Sequence, residues 1–205
     1  MPQTTHPYSV HPSVAMVRNW IDELPRKTGR SLDEWLLLME ERGPETAKER
    51  TAWLKSEHGL GTNSAMWIAE TSLGTMEENG DPEDYLRRAV GYVENMFAGR
   101  KASLLRPVYD ELLRIGLALG PDVKACPAST IVPLYRNHVF AQLKPMATRL
   151  DLGLALRDTP ATRRLLDTGG FAKKDRITHR IPIVSLAEID DEVQRWLKAA
   201  YEMDA

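Results

Sequence analysis

Cysteine is nearly missing from this chain of 205 residues: Cys126 stands alone, so no internal disulfide can form and no thiolate cluster can hold a metal. That scarcity suits a reducing compartment, and the expected location is cytoplasmic. Long apolar runs are missing too, none approaching the ~20 residues that span a bilayer. The segment from Met1 to Val10 is polar with two prolines and lacks the basic stretch and apolar core of a secretory leader. Neither membrane insertion nor secretion is expected. The five histidines, at 6, 11, 58, 138 and 179, include no pair at metal-ligand spacing, so neither a metal nor a cofactor is expected. No P-loop, dinucleotide fingerprint, serine-hydrolase or dicarboxylate pattern occurs. Cys126 and His138 are the one conceivable thiol-base pair. With Lys124 the only nearby cation, an ordinary core thiol is expected and no catalytic residue is assigned.

What is present is ordinary globular composition, 42% hydrophobic and 27% charged. The net charge of −2 conceals two halves of opposite sign, about −5 over residues 1–100 and +3 over residues 101–205. The first of these reads as short helices. Val14, Val17, Ile21 and Leu24 fall at helical spacing from Ser13 to Arg26. Ser31 and Glu34 form a capping box before Trp35, Leu38 and Met39, and Gly43-Pro44 stops that helix and opens one from Glu45 to His58. After Gly59-Leu-Gly61 a fourth helix carries Met66, Ile68 and Ala69. That last helix contains no Arg or Lys, so it lacks the donors a DNA recognition helix needs, and protein contact is the expected use of the module. Four of the five tryptophans, 20, 35, 53 and 67, lie here, in phase with the buried stripes.

Asn79-Gly-Asp-Pro82 marks a boundary, with Asp81 as cap of a helix to about Phe97; another helix is predicted from Ala102 to Leu119, including Leu104 on its stripe. Then the period changes to two. Strands are predicted near Val123–Cys126, Thr130–Tyr135, Val139–Lys144, Leu150–Leu156 and Ile177–Val184, with a brief helix after Thr159-Pro160. Pro182 calls for an edge or a bend. Ser185 and Glu188 read as a second capping box opening a last helix through Val193, Trp196 and Leu197. The fold class is α+β: an all-helical module, residues 1–78, then residues 79–205 with a small antiparallel sheet packed against helices.

Two stretches of the second domain invite a ligand. Between Arg157 and Arg180 seven Lys/Arg face three Asp, a local balance of +4. Gly169 and Gly170 permit backbone turns that could aim amides at an anion, Lys173, Lys174, Arg176 and Arg180 supply charge, and Phe171 offers a stacking face. Alternatively the loop is a solvated hairpin. The other stretch is the strand face carrying Tyr135, Phe140, Gln142, Lys144, Asp151 and Gly153, where small residues let either a ligand or a packed helix approach.

The residues Ser31-Leu-Asp-Glu-Trp35 and Ala52-Trp-Leu-Lys-Ser-Glu-His-Gly-Leu-Gly61 resemble domain of unknown function 4287, over about Gly29 to Glu70. The chain departs from it at Thr62–Met66, where that family carries further histidines. From about Pro82 onward, through Phe97-Ala-Gly-Arg100, Leu119-Gly-Pro-Asp122 and Ser185–Tyr201, the chain is similar to domain of unknown function 5655. The resemblance implies two domains and, because related domains accompany restriction-type proteins, points toward nucleic acid. The expected function is thus non-enzymatic binding of an anionic partner, nucleic acid or a small anion, by the basic loop. The alternatives are small-molecule binding on the sheet face and, third, an uncharacterised enzyme.

Overall fold

The computed structural model describes residues 6–205; the first five residues of the expected helical module lie outside them. Contacts divide the chain into two units, one comprising His11–Tyr85 and the other Leu86–Ala205 together with the described residues as far as Val10. The first unit holds α1 (Pro12–Thr28), α2 (Leu32–Arg42), α3 (Ala47–His58) and α4 (Thr62–Ser72). Ser31 and Glu34 form the expected capping box of α2. A second one, Thr46 with Glu49, starts α3, so Pro44 lies in the preceding connection and not in the first helical turn. Leu24, Trp35, Met39, Leu54, Ala65, Ile68 and Ala69 close the core of this unit, each large side chain contributing roughly 1.5–3 kcal/mol of burial. Met66 falls off that stripe and is exposed.

The helix α5 (Pro82–Phe97) starts where Asp81 Oδ1 accepts from the Glu83 amide at 2.9 Å. The predicted helix from Ala102 is broken: a tight 3₁₀ turn, Ala102–Leu105, precedes α6 (Arg106–Leu117). The turn buries Leu105 and leaves Leu104 exposed, because three residues per turn shift the phase by which the stripe was judged. The last helix, α7 (Asp191–Met203), is capped by Asp190, whose side chain accepts from the Val193 amide. Ser185 makes no cap, since Leu186–Glu188 form another 3₁₀ turn and Glu188 accepts from the Val184 amide.

Six antiparallel strands form one sheet in the order β1-β2-β3-β4-β6-β5: β1 Lys124–Ala125, β2 Val132–Tyr135, β3 Val139–Pro145, β4 Leu150–Leu154, β5 Leu166–Asp167 and β6 His179–Ile183. Leu143, Leu152, Leu154, Ile181 and Ile183 point from it into a core shared with Val108, Leu112, Val193 and Leu197 of α6 and α7. The fold is therefore α+β, a helical module followed by helices packed on an antiparallel sheet. No helix forms after Thr159-Pro160; the chain turns there and reaches β5, which pairs only with His179 and Arg180. Beyond Arg180 no strand of the described residues pairs with the outer side of β6, and Pro182, which has no N–H to offer a neighbour, occupies that stretch.

The opposite edge is covered. Tyr8 bridges Ala125 in parallel, the Ser9 amide donates to the Ala125 carbonyl at 2.8 Å, and the Tyr8 and Tyr109 hydroxyls meet at 3.2 Å. Under this strap the Cys126 thiol, fully buried, donates to the Val10 carbonyl, and burial pushes its pKa up to about 12. Iodoacetamide should therefore label native Cys126 far more slowly than a free thiol at neutral pH, and Tyr8→Ala should accelerate labelling by loosening the strap. Equal rates for the two proteins would show that the strap does not protect the thiol.

Candidate functional site

The glycine-basic loop begins at β5 and is stitched by its own side chains. Asp167 Oδ1 accepts from the Gly169 amide at 2.7 Å, and Thr168 Oγ1 accepts from the Gly170 amide at 3.2 Å while donating to the carbonyls across the loop. Gly169 and Gly170 thus spend their amides locally and do not present them to a ligand, a correction to the sequence expectation. Gly170 is required for another reason: a Cβ there would stand 2.4 Å from the Ile177 carbonyl oxygen.

From Gly170 to Asp175 the backbone closes as a helix terminus does. The Gly170 carbonyl accepts from the amides of Lys173 (3.0 Å) and Asp175 (2.9 Å), and the Phe171 carbonyl accepts from Lys174 (3.1 Å). This is the Schellman pattern, and its left-handed position, usually glycine, is Lys174 with φ +58°. Arg157, with φ +53°, occupies the equivalent glycine-favouring place in the turn closed by the Thr159 amide on the Leu156 carbonyl. Among the described residues these are the two non-glycine positions with positive φ. Both line one pocket of about 540 Å³, whose wall also includes Phe171, Asp175, Arg176, Met203 and Asp204.

The remaining cations of the sequence cluster are dispersed. Arg180 donates to Asp151 at 2.9 Å, Arg164 to Asp190 at 2.5 Å and to the Glu188 carbonyl, and Arg176 to Asp204 at 2.6 Å. Lys173 is exposed and Arg157 donates only to the Met203 carbonyl, so Arg157, Lys173 and Lys174 form no ion pair with an acid of the described residues. Arg180 faces the sheet and belongs to a different place from Lys174.

The sheet-face candidates do not assemble. An extra residue in β3 shifts the register at Leu134/Tyr135, and Phe140 turns fully into the core with its ring 5.6 Å from Tyr201. Tyr135, half-buried, ends β2 opposite Val139 at the start of β3, and Lys144 is exposed near the other end of β3. Lys144 stands opposite Asp151, but Arg149 and Arg180 hold that carboxylate at 2.6 and 2.9 Å. The gap above Gly153 is filled, since a Cβ there would lie 2.7 Å from Gln142 and 2.8 Å from Ile177. Cys126 and His138 also keep separate partners, Val10 and Asp204. His179 is buried with Nδ1 2.8 Å from Thr178 Oγ1, as its strand phase predicts. No group of three His, Cys, Asp or Glu among the described residues could hold a metal ion.

Asp204, missed by the sequence reading, anchors the pocket. Its side chain is 4% exposed and accepts from the His138 amide (2.8 Å), His138 Nδ1 (3.1 Å) and Arg176 (2.6 Å). Burial acts to raise its pKa, but the His138 amide, Arg176 and the His138 ring together outweigh burial and leave the carboxyl below its ordinary range. Because the folded value is depressed, this stabilisation is complete above the unfolded carboxyl's pKa of about 4 and is lost as pH falls through the folded value. Thermal midpoints measured down to roughly pH 2 should therefore drop less steeply for Asp204→Asn than for the parent protein. Parallel acid slopes would remove Asp204 from that role. The left-handed lysine gives a second expectation: Lys174→Gly should stabilise the protein by about 1 kcal/mol in urea denaturation, and Lys174→Ala should not, since alanine keeps the Cβ penalty.

Comparison with known proteins places both halves. The model of a domain of unknown function (DUF4287) matches residues 16–73, within the helical region. No curated protein and no solved structure matches the chain. The model of a second domain of unknown function (DUF5655) matches residues 93–204, a span that holds the sheet, α6, α7 and the whole pocket. Since that match covers more than half of the chain, the protein belongs to the DUF5655 family.

Proposed function

We propose that this protein is a non-enzymatic binding protein whose C-terminal domain holds an anionic partner, nucleic acid foremost, at the pocket between Arg157 and Lys174. One observation carries the proposal: the two non-glycine left-handed residues of the described chain are both cations and both line that pocket. Backbone strain of this kind costs about 1–3 kcal/mol per residue and clusters where ligands are held. Lys173 extends the charge outward, and the exposed Phe171 ring gives a base a surface to stack on. A second reading, a free small anion, is favoured by the volume of about 540 Å³, inside the usual range of small-molecule sites. The sheet face supports it less, because Gly153 is already covered.

The helical module supports a protein contact, since Leu37 is exposed between Asp33 and Glu40 on α2. The lone buried thiol favours the cytoplasm. No helix of the described residues is long and apolar enough to cross a membrane.

Binding of a labelled single-stranded oligonucleotide across a salt series tests the proposal. With phosphates on Arg157, Lys173 and Lys174, log affinity should fall with log salt at a slope of about −2, and Lys173→Ala/Lys174→Ala should flatten it by about 1.4. Absence of binding at low salt contradicts nucleic acid as the partner. Binding of phosphate or a mononucleotide in its place upholds the second reading.

A further inference from the structure

We propose that the pocket selects guanine, with Asp175 as the residue that reads the base; this rests on the anion-binding reading above. Phe171 leaves 58% of its surface exposed and Met203 39%, and both line the pocket that Arg157 and Lys174 make cationic. An aromatic face and a thioether beside positive charge suit a flat ring that carries a phosphate.

The carboxylates in the wall are the discriminating feature, because a carboxylate accepts hydrogen bonds and cannot donate them. Asp204 is committed to His138 and Arg176. Asp175 is not: Oδ1 accepts from the Ile177 amide at 3.3 Å, and Oδ2 has no hydrogen-bond or ion-pair partner among the described residues. It stands four residues after Phe171 in the same closed turn, its own amide fixed to the Gly170 carbonyl. An acid in the wall of a pocket for anions repels a phosphate, so a ligand that uses it must bring it hydrogen-bond donors.

Guanine is the base whose Watson–Crick edge sets two donors side by side, N1–H and the N2 amine, to match two carboxylate oxygens. Adenine and cytosine place a ring acceptor beside their amine, and uracil flanks its N–H with two carbonyls; each would push a lone pair against Asp175. Hypoxanthine keeps N1–H but lacks the amine. The same chemistry is offered by a free guanine nucleotide and by a guanine in a single strand.

Calorimetry on the full chain with 5′-GMP, IMP, AMP, UMP and inorganic phosphate tests this. GMP should bind about tenfold tighter than IMP, the effect of one charge-assisted hydrogen bond, and about a hundredfold tighter than AMP or UMP. Asp175→Asn can still accept from the Ile177 amide, so the turn is kept; the variant should bind GMP no better than AMP while its phosphate affinity is undiminished. Equal binding of GMP, AMP and UMP, or a preference that survives Asp175→Asn, overturns guanine selection and leaves the anion site standing. If neither phosphate nor any nucleotide binds, both fall. Hexathymidylate with and without one internal guanine distinguishes the sources: a guanine-containing strand tighter than GMP assigns the strand, and GMP tighter than that strand assigns the free nucleotide, both upholding guanine. Equal binding of the two hexanucleotides, with GMP no better than AMP, is again the overturning result.

Discussion

The Asp204 carboxylate is the constraint on which the rest of the C-terminal domain's site depends. It sits at the end of α7, almost wholly enclosed, and its two oxygens collect the His138 amide, the His138 ring and the Arg176 guanidinium. The turn between β2 and β3, the end of α7 and the basic loop are thereby pinned to one point. Neighbouring bonds reinforce it: Asn137 donates to the Asp204 carbonyl, Arg136 to the Tyr201 carbonyl, and Asp122 takes both Arg136 and the Tyr201 hydroxyl. A buried carboxylate without such donors would carry a desolvation cost of several kcal/mol, and these contacts offset it.

Pinning the loop this way gives its charges different fates. Arg176 is spent on Asp204, Arg180 on Asp151 and Arg164 on the cap of α7, and these pairs hold the fold. Arg157 and Lys174 are left facing the pocket from backbone conformations that glycine would adopt without strain. Cations kept at two such positions in the wall of one cavity are hard to account for by packing or solubility, since neither side chain closes a core or pairs with an acid. The Phe171 ring, exposed in the lining of the same pocket, is equally wasteful in a merely structural hairpin.

Much of the fold was legible because hydrophobic period and caps are local signals. The alternation of Leu150, Leu152 and Leu154 and the Ser31–Glu34 box each specify their element unaided. Failures came where phase or pairing was decided elsewhere. The 3₁₀ turn at Ala102–Leu105 moved Leu104 to the surface, and the two-residue β5 exists only because β6 is there to pair with it. The basic loop was visible as composition, and Lys174 and Phe171 do reach the pocket. The loop's glycines misled, since Asp167 and Thr168 claim their amides. Phe140 lies on the core side, against the strict alternation of β3, because a bulge reverses alternation without leaving a mark in the sequence. Asp204, Met203 and Arg157 were invisible as a group: no motif joins residues that meet only when α7 returns to the mouth of the sheet.

An anion held between Arg157 and Lys174 would perturb both residues on binding. A titration of the isotope-labelled full chain with inorganic phosphate, followed by amide and side-chain nuclear magnetic resonance, addresses it directly. The largest saturable shifts are expected at Arg157, Lys174 and Phe171, with Tyr135, Lys144 and Arg180 unmoved. Saturable shifts centred on Lys144 or Arg180, with Arg157 and Lys174 silent, would contradict it.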